Sequence, residues 1–154
     1  MAEVDLGIDG VDEIDDQLCA IKGAGGAMLR EKIVASAARR MIAIADASKA
    51  VARLGARPVP VEALPVARAS VERQLALLGC TPVLRCNDVG APAATDQGNI
   101  IFDCRFAVLD DPAGTATRLS SIPGMLGHGL FLTEIDALYL GTADGVVRKE
   151  RNIA

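Results

Sequence analysis

One stretch of the chain, DGVDEIDDQLCAIKGAGGAM over residues 9–28, gathers most of the residue types that could do chemistry. Asp9 and Asp12 bracket Gly10 directly after an apolar run, where a turn would fold both carboxylates over the end of a strand. Paired acids in that setting are candidates for general acid–base work. The calcium-loop pattern fails, because D-x-[DN]-x-[DN]-G needs Asp or Asn where Val11 stands. Asp15 and Asp16 read as a solvated turn. Lys22 then opens KGAGGAM, which is neither a phosphate loop with its lysine after the glycines nor a complete G-x-G-x-x-G. A glycine-rich segment entering a helix can present backbone N–H groups to an anion, with Lys22 as a neighbouring cation. An ordinary flexible turn is the competing reading. Glu31 falls in the first turn of the next helix and off its apolar stripe, so the pattern alone makes it a solvated partner of the positive helix end. His128, between two glycines, reads as a packed or exposed sheet residue rather than a catalyst.

The elements that must position these residues follow from periodicity. VDLGID (4–9) and LCAIK (18–22) read as short strands running into turns. LREKIVASAARR (29–40) has Leu29, Ile33, Val34, Ala37 and Met41 at helical spacing. MIAIAD (41–46) is a continuous apolar run, expected to be a strand buried in a parallel sheet. Asp9, Gly23 and Asp46 would then all sit at C-terminal strand ends, where open α/β sheets bind ligands. The proline-rich ARPVPVEALP (56–65) suggests a boundary. Beyond it, strand 59–64, helix 66–78, strand 82–86, strand 99–106, helix 113–121 and strand 125–132 give the βαββαβ order of a ferredoxin-like unit. ALYLG (137–141) and VVRK (146–149) flank TADG as a closing hairpin. The expected fold class is α/β: a partial Rossmann-like parallel sheet domain (1–57 and 133–154) with an inserted ferredoxin-like α+β domain (58–132).

Composition removes several functions. A chain of 154 residues with 51% hydrophobic content can bury a real core. A net charge of −4 and only 3% aromatic residues argue against nucleic acid as the partner. Cys19, Cys80, Cys86 and Cys104 form no C-x-x-C, and one histidine is too few for the common Cys/His zinc patterns, so the thiols are expected to be reduced. No apolar run is long enough for a membrane helix, and the N-terminus lacks the pattern of a secretory signal. A cytoplasmic location is expected.

Taken in order, DGVDEI, IKGAGGAMLREKI, IADASK and PVPVEALPVARASVERQL resemble the ribose-5-phosphate isomerase A family, whose usual forms are DGADEI, IKGGGGALxREKI, IADxSK and P-L-P-V-E. The likeness continues through IPG (122–124), GLF (129–131) and the Gly-x-x-Asp-Gly pattern of 141–145, and so covers nearly the whole chain. Val11 for Ala and Ala24 for Gly are mild departures; Ala24 requires a backbone conformation that a residue with a side chain can hold.

The resemblance implies an aldose–ketose isomerase of the pentose phosphate pathway, interconverting D-ribose 5-phosphate and D-ribulose 5-phosphate through a cis-enediolate, with no metal and no organic cofactor. Carried onto this chain, Glu31 is the proton-shuttling base. Asp9 and Asp12 bind sugar hydroxyls and assist ring opening, and Lys22 steadies the enediolate oxygen. Gly10, Val11, Gly23, Ala24 and Gly25 line the substrate, and Lys49 contacts it near the phosphate. The partner is a small-molecule sugar phosphate, with neither nucleic acid nor membrane, in a homodimer or homotetramer. Family members also carry a phosphate-binding loop ahead of the DGADE strand. The expectation is that this chain lacks it, through truncation or an internal start, and is poorly stable and nearly inactive alone. The alternative is a non-catalytic sugar-phosphate-binding module, since sugar-responsive repressors use a related effector fold.

Overall fold

The computed structural model describes residues 3–151. β1 (Gly7–Gly10), β4 (Met41–Asp46) and β10 (Ala137–Thr142) run parallel in the order β1-β4-β10, and β11 (Gly145–Glu150) closes the far side as an antiparallel hairpin partner. α1 (Met28–Ala37) makes the right kind of crossover between β1 and β4, as parallel strands require. The second four-stranded sheet has the order β6-β7-β5-β8, from β5 (Val59–Ala63), β6 (Cys80–Leu84), β7 (Ile100–Phe106) and β8 (Met125–His128), all antiparallel. With α2 (Arg68–Leu77) and α3 (Pro112–Ser120) between them, this is the ferredoxin-like split unit. Its core includes Val61, Val71, Leu75, Phe102 and Leu119, all essentially fully buried.

Three expectations need correction. MIAIAD is not buried on both faces. Met41 and Ala43 point into a core with Ile14, Phe131 and Leu138, but Ile44 on the other face is 50% exposed. That face, with Ile8 and Val146, lies uncovered around a shallow hollow. Second, LCAIK does not join the parallel sheet. Only Ala20–Ile21 (β3) is extended, pairing with β2 (Glu13–Ile14) and β9 (Leu130–Phe131) in a small antiparallel sheet between the two larger ones. Third, MLGHGLFL is not one strand. It is β8 of the ferredoxin-like sheet up to His128 and β9 of the small sheet from Leu130.

Gly129 makes that change of sheet. Its N–H donates to the Pro60 carbonyl at 2.8 Å and its carbonyl accepts from the Lys22 N–H at 2.9 Å. A Cβ here would collide with the Lys22 carbonyl, so the close approach of two backbones requires glycine. Glu13, within the acidic stretch, is 2% exposed and accepts from the N–H groups of Gly55 (2.8 Å) and Arg57. It thereby fixes the start of the proline-rich segment onto β2, and these two bonds answer the cost of burying its charge.

Candidate active site

The acids and the lysine of the opening stretch meet because β1 and β3 end side by side. β1 runs out at Asp9-Gly10, and the Asp12 N–H is held by the Ile21 carbonyl at 2.8 Å, which folds the turn back over β3. Lys22 follows β3 at once. Its side chain, 4% exposed, reaches Asp9 Oδ2 at 2.9 Å, the Gly10 carbonyl and Glu31 Oε2 at 3.3 Å. Its ammonium also lies 5.5 Å from the centre of the buried Phe131 ring. The Glu31 contact is an ion pair whose angle makes no hydrogen bond, and Glu31 Oε2 is buried with no hydrogen-bond partner among the described residues.

The helical stripe read from the sequence is wrong, and this relocates Glu31. Met28 and Ala35 are the buried residues of α1, whereas Ile33 is 54% exposed. The helix packs through a face rotated from the expected one, because β8 and the glycine loop share the surface beneath it with β1. Glu31 therefore faces inward, its side chain 24% exposed. Burial pushes its carboxyl above the ordinary range. Lys22 opposes that shift, while Asp9 and Asp12 add to it by like-charge repulsion.

Asp12 holds the glycine loop, its Oδ2 accepting from the Ala24 N–H at 2.9 Å. Gly23 has φ +103°, and a Cβ there would strike Met28 at 2.8 Å, so this position requires glycine. Ala24 is not in the left-handed region, so its methyl is tolerated. Asp9, Gly10, Val11, Asp12, Lys22, Gly23, Ala24, Gly25 and Glu31 all line one pocket of about 200 Å³. Lys49 lies apart, in a one-turn 3-10 segment after β4 that Asp46 caps through the Ser48 N–H at 2.8 Å. It borders an adjoining hollow of about 400 Å³ with Asp46 and Tyr139, and the two spaces share Gly10 and Val11. Together they form a trough with three carboxylates and an ammonium at one end and the Lys49 ammonium with the Asp46 carboxylate at the other.

The remaining candidates sit elsewhere. The Asp15 carboxylate caps the turn through the N–H groups of Gln17 and Cys19, both at 2.9 Å, and Asp16 is exposed and paired with Lys149. His128 is packed, 8% exposed, its Nδ1 facing Lys32 Nζ at 3.3 Å and the Leu130 N–H at 3.2 Å. Burial and the Lys32 charge push its pKa down to about 4, so it is neutral at pH 7. The four cysteines are free thiols. Among the described residues no group of three or more His, Cys, Asp or Glu side chains is placed to hold a metal ion. Arg85, which no sequence pattern marks, lies just past β6 and reaches the carbonyls of Gly23 and Ala24, 61 residues along the chain from Ala24.

Comparison with known proteins agrees with this architecture. The family profile of ribose 5-phosphate isomerase A (phosphoriboisomerase A) matches residues 1–145. A ribose-5-phosphate isomerase A of Roseiflexus castenholzii is 50% identical over 148 residues, covering 96% of this chain and 63% of that protein. The same-named protein of Sphingopyxis alaskensis is 48% identical over 154 residues, with 100% and 67% covered. The chain thus spans a little under two thirds of the Roseiflexus relative's length. The crystal structure of ribose 5 phosphate isomerase A from Neisseria gonorrhoeae superposes with a TM-score of 0.92 at 40% identity, over 99% of this chain and 66% of that one. A D-ribose-5-phosphate isomerase in complex with phospho-erythronic acid gives 0.93 at 35% identity, with 98% and 67% covered.

Proposed function

Because this chain belongs to the ribose 5-phosphate isomerase A family, we propose that it carries the residues that interconvert D-ribose 5-phosphate and D-ribulose 5-phosphate. The observation that carries the reading is Glu31. It is a half-buried carboxylate with an unpartnered oxygen, 3.3 Å from an ammonium and raised in pKa by burial. A base that must take a proton from C2 and return it to C1 needs a lone pair not already engaged, and a pKa lifted toward the working pH. In the aldose-to-ketose direction Glu31 removes the C2 proton, the C1 carbonyl becomes an enediolate oxygen, and Lys22 lies close enough to meet that charge. The C2 hydroxyl proton passes to the C1 oxygen, Glu31 returns its own proton to C1, and the C2 oxygen is left as the ketose carbonyl, which completes the exchange. Asp9, tied to Lys22, and Asp12, tied to the loop, offer acceptors for the sugar hydroxyls. The Lys49 end of the trough takes the phosphate.

The same reading treats residues 1–57 with 133–154 as the catalytic unit and 58–132 as an insertion, in a cytoplasmic homodimer. It also assigns the 154-residue polypeptide, assayed alone, low turnover and low stability. The uncovered apolar face with Ile8 and Ile44 supports this, because such a surface favours association over a single soluble state.

A coupled isomerase assay on the chain and its Glu31→Gln variant tests the proposal. Turnover above background that disappears in the variant is expected. Supplying in trans the part of a relative that this chain does not match is expected to raise the rate. A full rate from the isolated chain would refute the low-activity part. Binding of ribose 5-phosphate without turnover, even when supplemented, would favour the non-catalytic sugar-phosphate module.

A further inference from the structure

We propose that Arg85, fixed by Asp103, is a positioning residue that turns the Gly25 N–H into the sugar pocket as a donor to the enediolate oxygen. The proposal rests on the isomerase reading above. Arg85 just past β6, Asp103 on β7 and Pro60 on β5 lie on the sheet face that meets the glycine loop at Ala24. All three guanidinium nitrogens of Arg85 are engaged there. Nε and Nη2 fork the Asp103 carboxylate at 2.9 and 2.5 Å, and Nη1 donates to the carbonyls of Gly23 (3.1 Å) and Ala24 (3.0 Å). Both side chains of the pair are mostly buried, 19% and 25% exposed. A planar fork with five donors can serve a carboxylate and two carbonyls at once; an ammonium cannot.

The consequence follows from peptide planarity. In a trans peptide the N–H points opposite to the C=O. With the Gly23 carbonyl drawn to Arg85, the Ala24 N–H points away from it, and it meets Asp12 Oδ2 at 2.9 Å. With the Ala24 carbonyl also drawn to Arg85, the Gly25 N–H points away too. It has no protein acceptor among the described residues. Gly25 lines the same pocket as Lys22 and Glu31, and the space beside its Cα is open. The loop is thus gripped from both sides, its carbonyls by Arg85 and one N–H by Asp12. The next N–H is left free where charge would develop. Losing one such donor costs on the order of 10²–10³ in rate.

The test uses the 154-residue chain and phospho-erythronic acid, whose carboxylate carries charge where the enediolate would. Affinity and the Gly25 amide proton shift are followed by NMR, with thermal melting as the control for folding. Arg85→Met is expected to weaken binding at least tenfold and to abolish the ligand-induced Gly25 shift, with a melting transition that is lower, because Asp103 loses its partner, but still cooperative. Arg85→Lys keeps the charge but not the fork and is expected to resemble Arg85→Met. Should Arg85→Met fail to fold, Asp103→Asn, which loosens the fork and leaves Arg85 in place, is expected to weaken binding several-fold. Binding within twofold of wild type and an unaltered Gly25 shift in the folded variants would overturn the proposal and leave the isomerase reading intact. Failure of wild type to bind at millimolar ligand, even when supplemented in trans with the part of a relative that this chain does not match, would instead overturn the isomerase reading. Loop positioning is then decided by Ala24 amide exchange, where acceleration in the variant supports the grip and no change refutes it.

Discussion

Replacing Lys22 by Met probes the centre of the site with a side chain of similar length and no charge. The ammonium it removes is held by Asp9 Oδ2 at 2.9 Å, the Gly10 carbonyl and Glu31 Oε2 at 3.3 Å. Hydrogen bonds to charged groups contribute about 1.5–3 kcal/mol each. The Asp9 bond falls at the low end of that range, because its side chain is 38% exposed and water can replace the lost donor. The Glu31 contact is a poorly angled ion pair and adds less. The expected loss is therefore about 2 kcal/mol at pH 7, or roughly 4–8 °C in melting temperature for a chain of this size. The chemical signature is sharper. Burial raises the Glu31 carboxyl, and the Lys22 charge is the main influence pulling it back. Without Lys22, only burial and the repulsion of Asp9 and Asp12 remain, so Glu31 must titrate at higher pH than in wild type. Carboxyl-selective NMR reads that titration directly and needs no turnover. In the coupled assay the same change appears as an acid limb moved to higher pH, together with a rate lower by on the order of 10²–10³. A Glu31 that titrates at the wild-type pH, or below it, in Lys22→Met would refute this electrostatic account of the site.

Glu31→Gln should lower turnover by about 10²–10⁴ while raising stability at neutral pH. The folded carboxyl has the higher pKa, so the native state binds its proton more tightly than the unfolded chain does. Wild-type stability therefore falls as pH rises from the ordinary Glu value through the raised one, and the variant's advantage in melting temperature should grow over that window. Because His128 is the only histidine, its ring resonances are unambiguous, and their midpoint is expected near pH 4. A folded pKa below the ordinary 6.5 contributes stability that is present above pH 6.5 and is lost as pH falls toward 4; His128→Gln should flatten that loss in a melting series. Gly129→Ala forces a methyl against the Lys22 carbonyl and should cost about 1–3 kcal/mol in denaturant unfolding, with activity reduced because Lys22 itself is displaced.

Much of the architecture was legible because it rests on local signals. Alternation, turn glycines and prolines placed the strands and helices of the ferredoxin-like unit in order, with ends shifted by a few residues. The order of motifs identified the family and brought Asp9, Asp12, Lys22, the glycines, Glu31 and Lys49 forward together. Pattern alone misjudged Glu31. An amphipathic stripe on a ten-residue helix is weakly defined when alanines separate the larger apolar residues, and the partner surface decides which face turns inward. Composition likewise could not show that Ile44 faces outward, because a run of apolar residues does not say whether both sheet faces are covered.

By itself, then, the sequence determined which groups are present, which turns glycine must make and the order of elements that carries them. Tertiary structure alone decided what each group can do. It switched a strand between two sheets at Gly129, so that Lys22 is pinned beside Asp9. It rotated α1 to bury Glu31 without a hydrogen-bond partner for one oxygen, and it brought Arg85 across to the glycine loop. The physical reason is range. Turn and strand preferences act over a few residues, whereas the charge state of a carboxylate and the direction of a peptide N–H depend on neighbours that only the folded chain brings close.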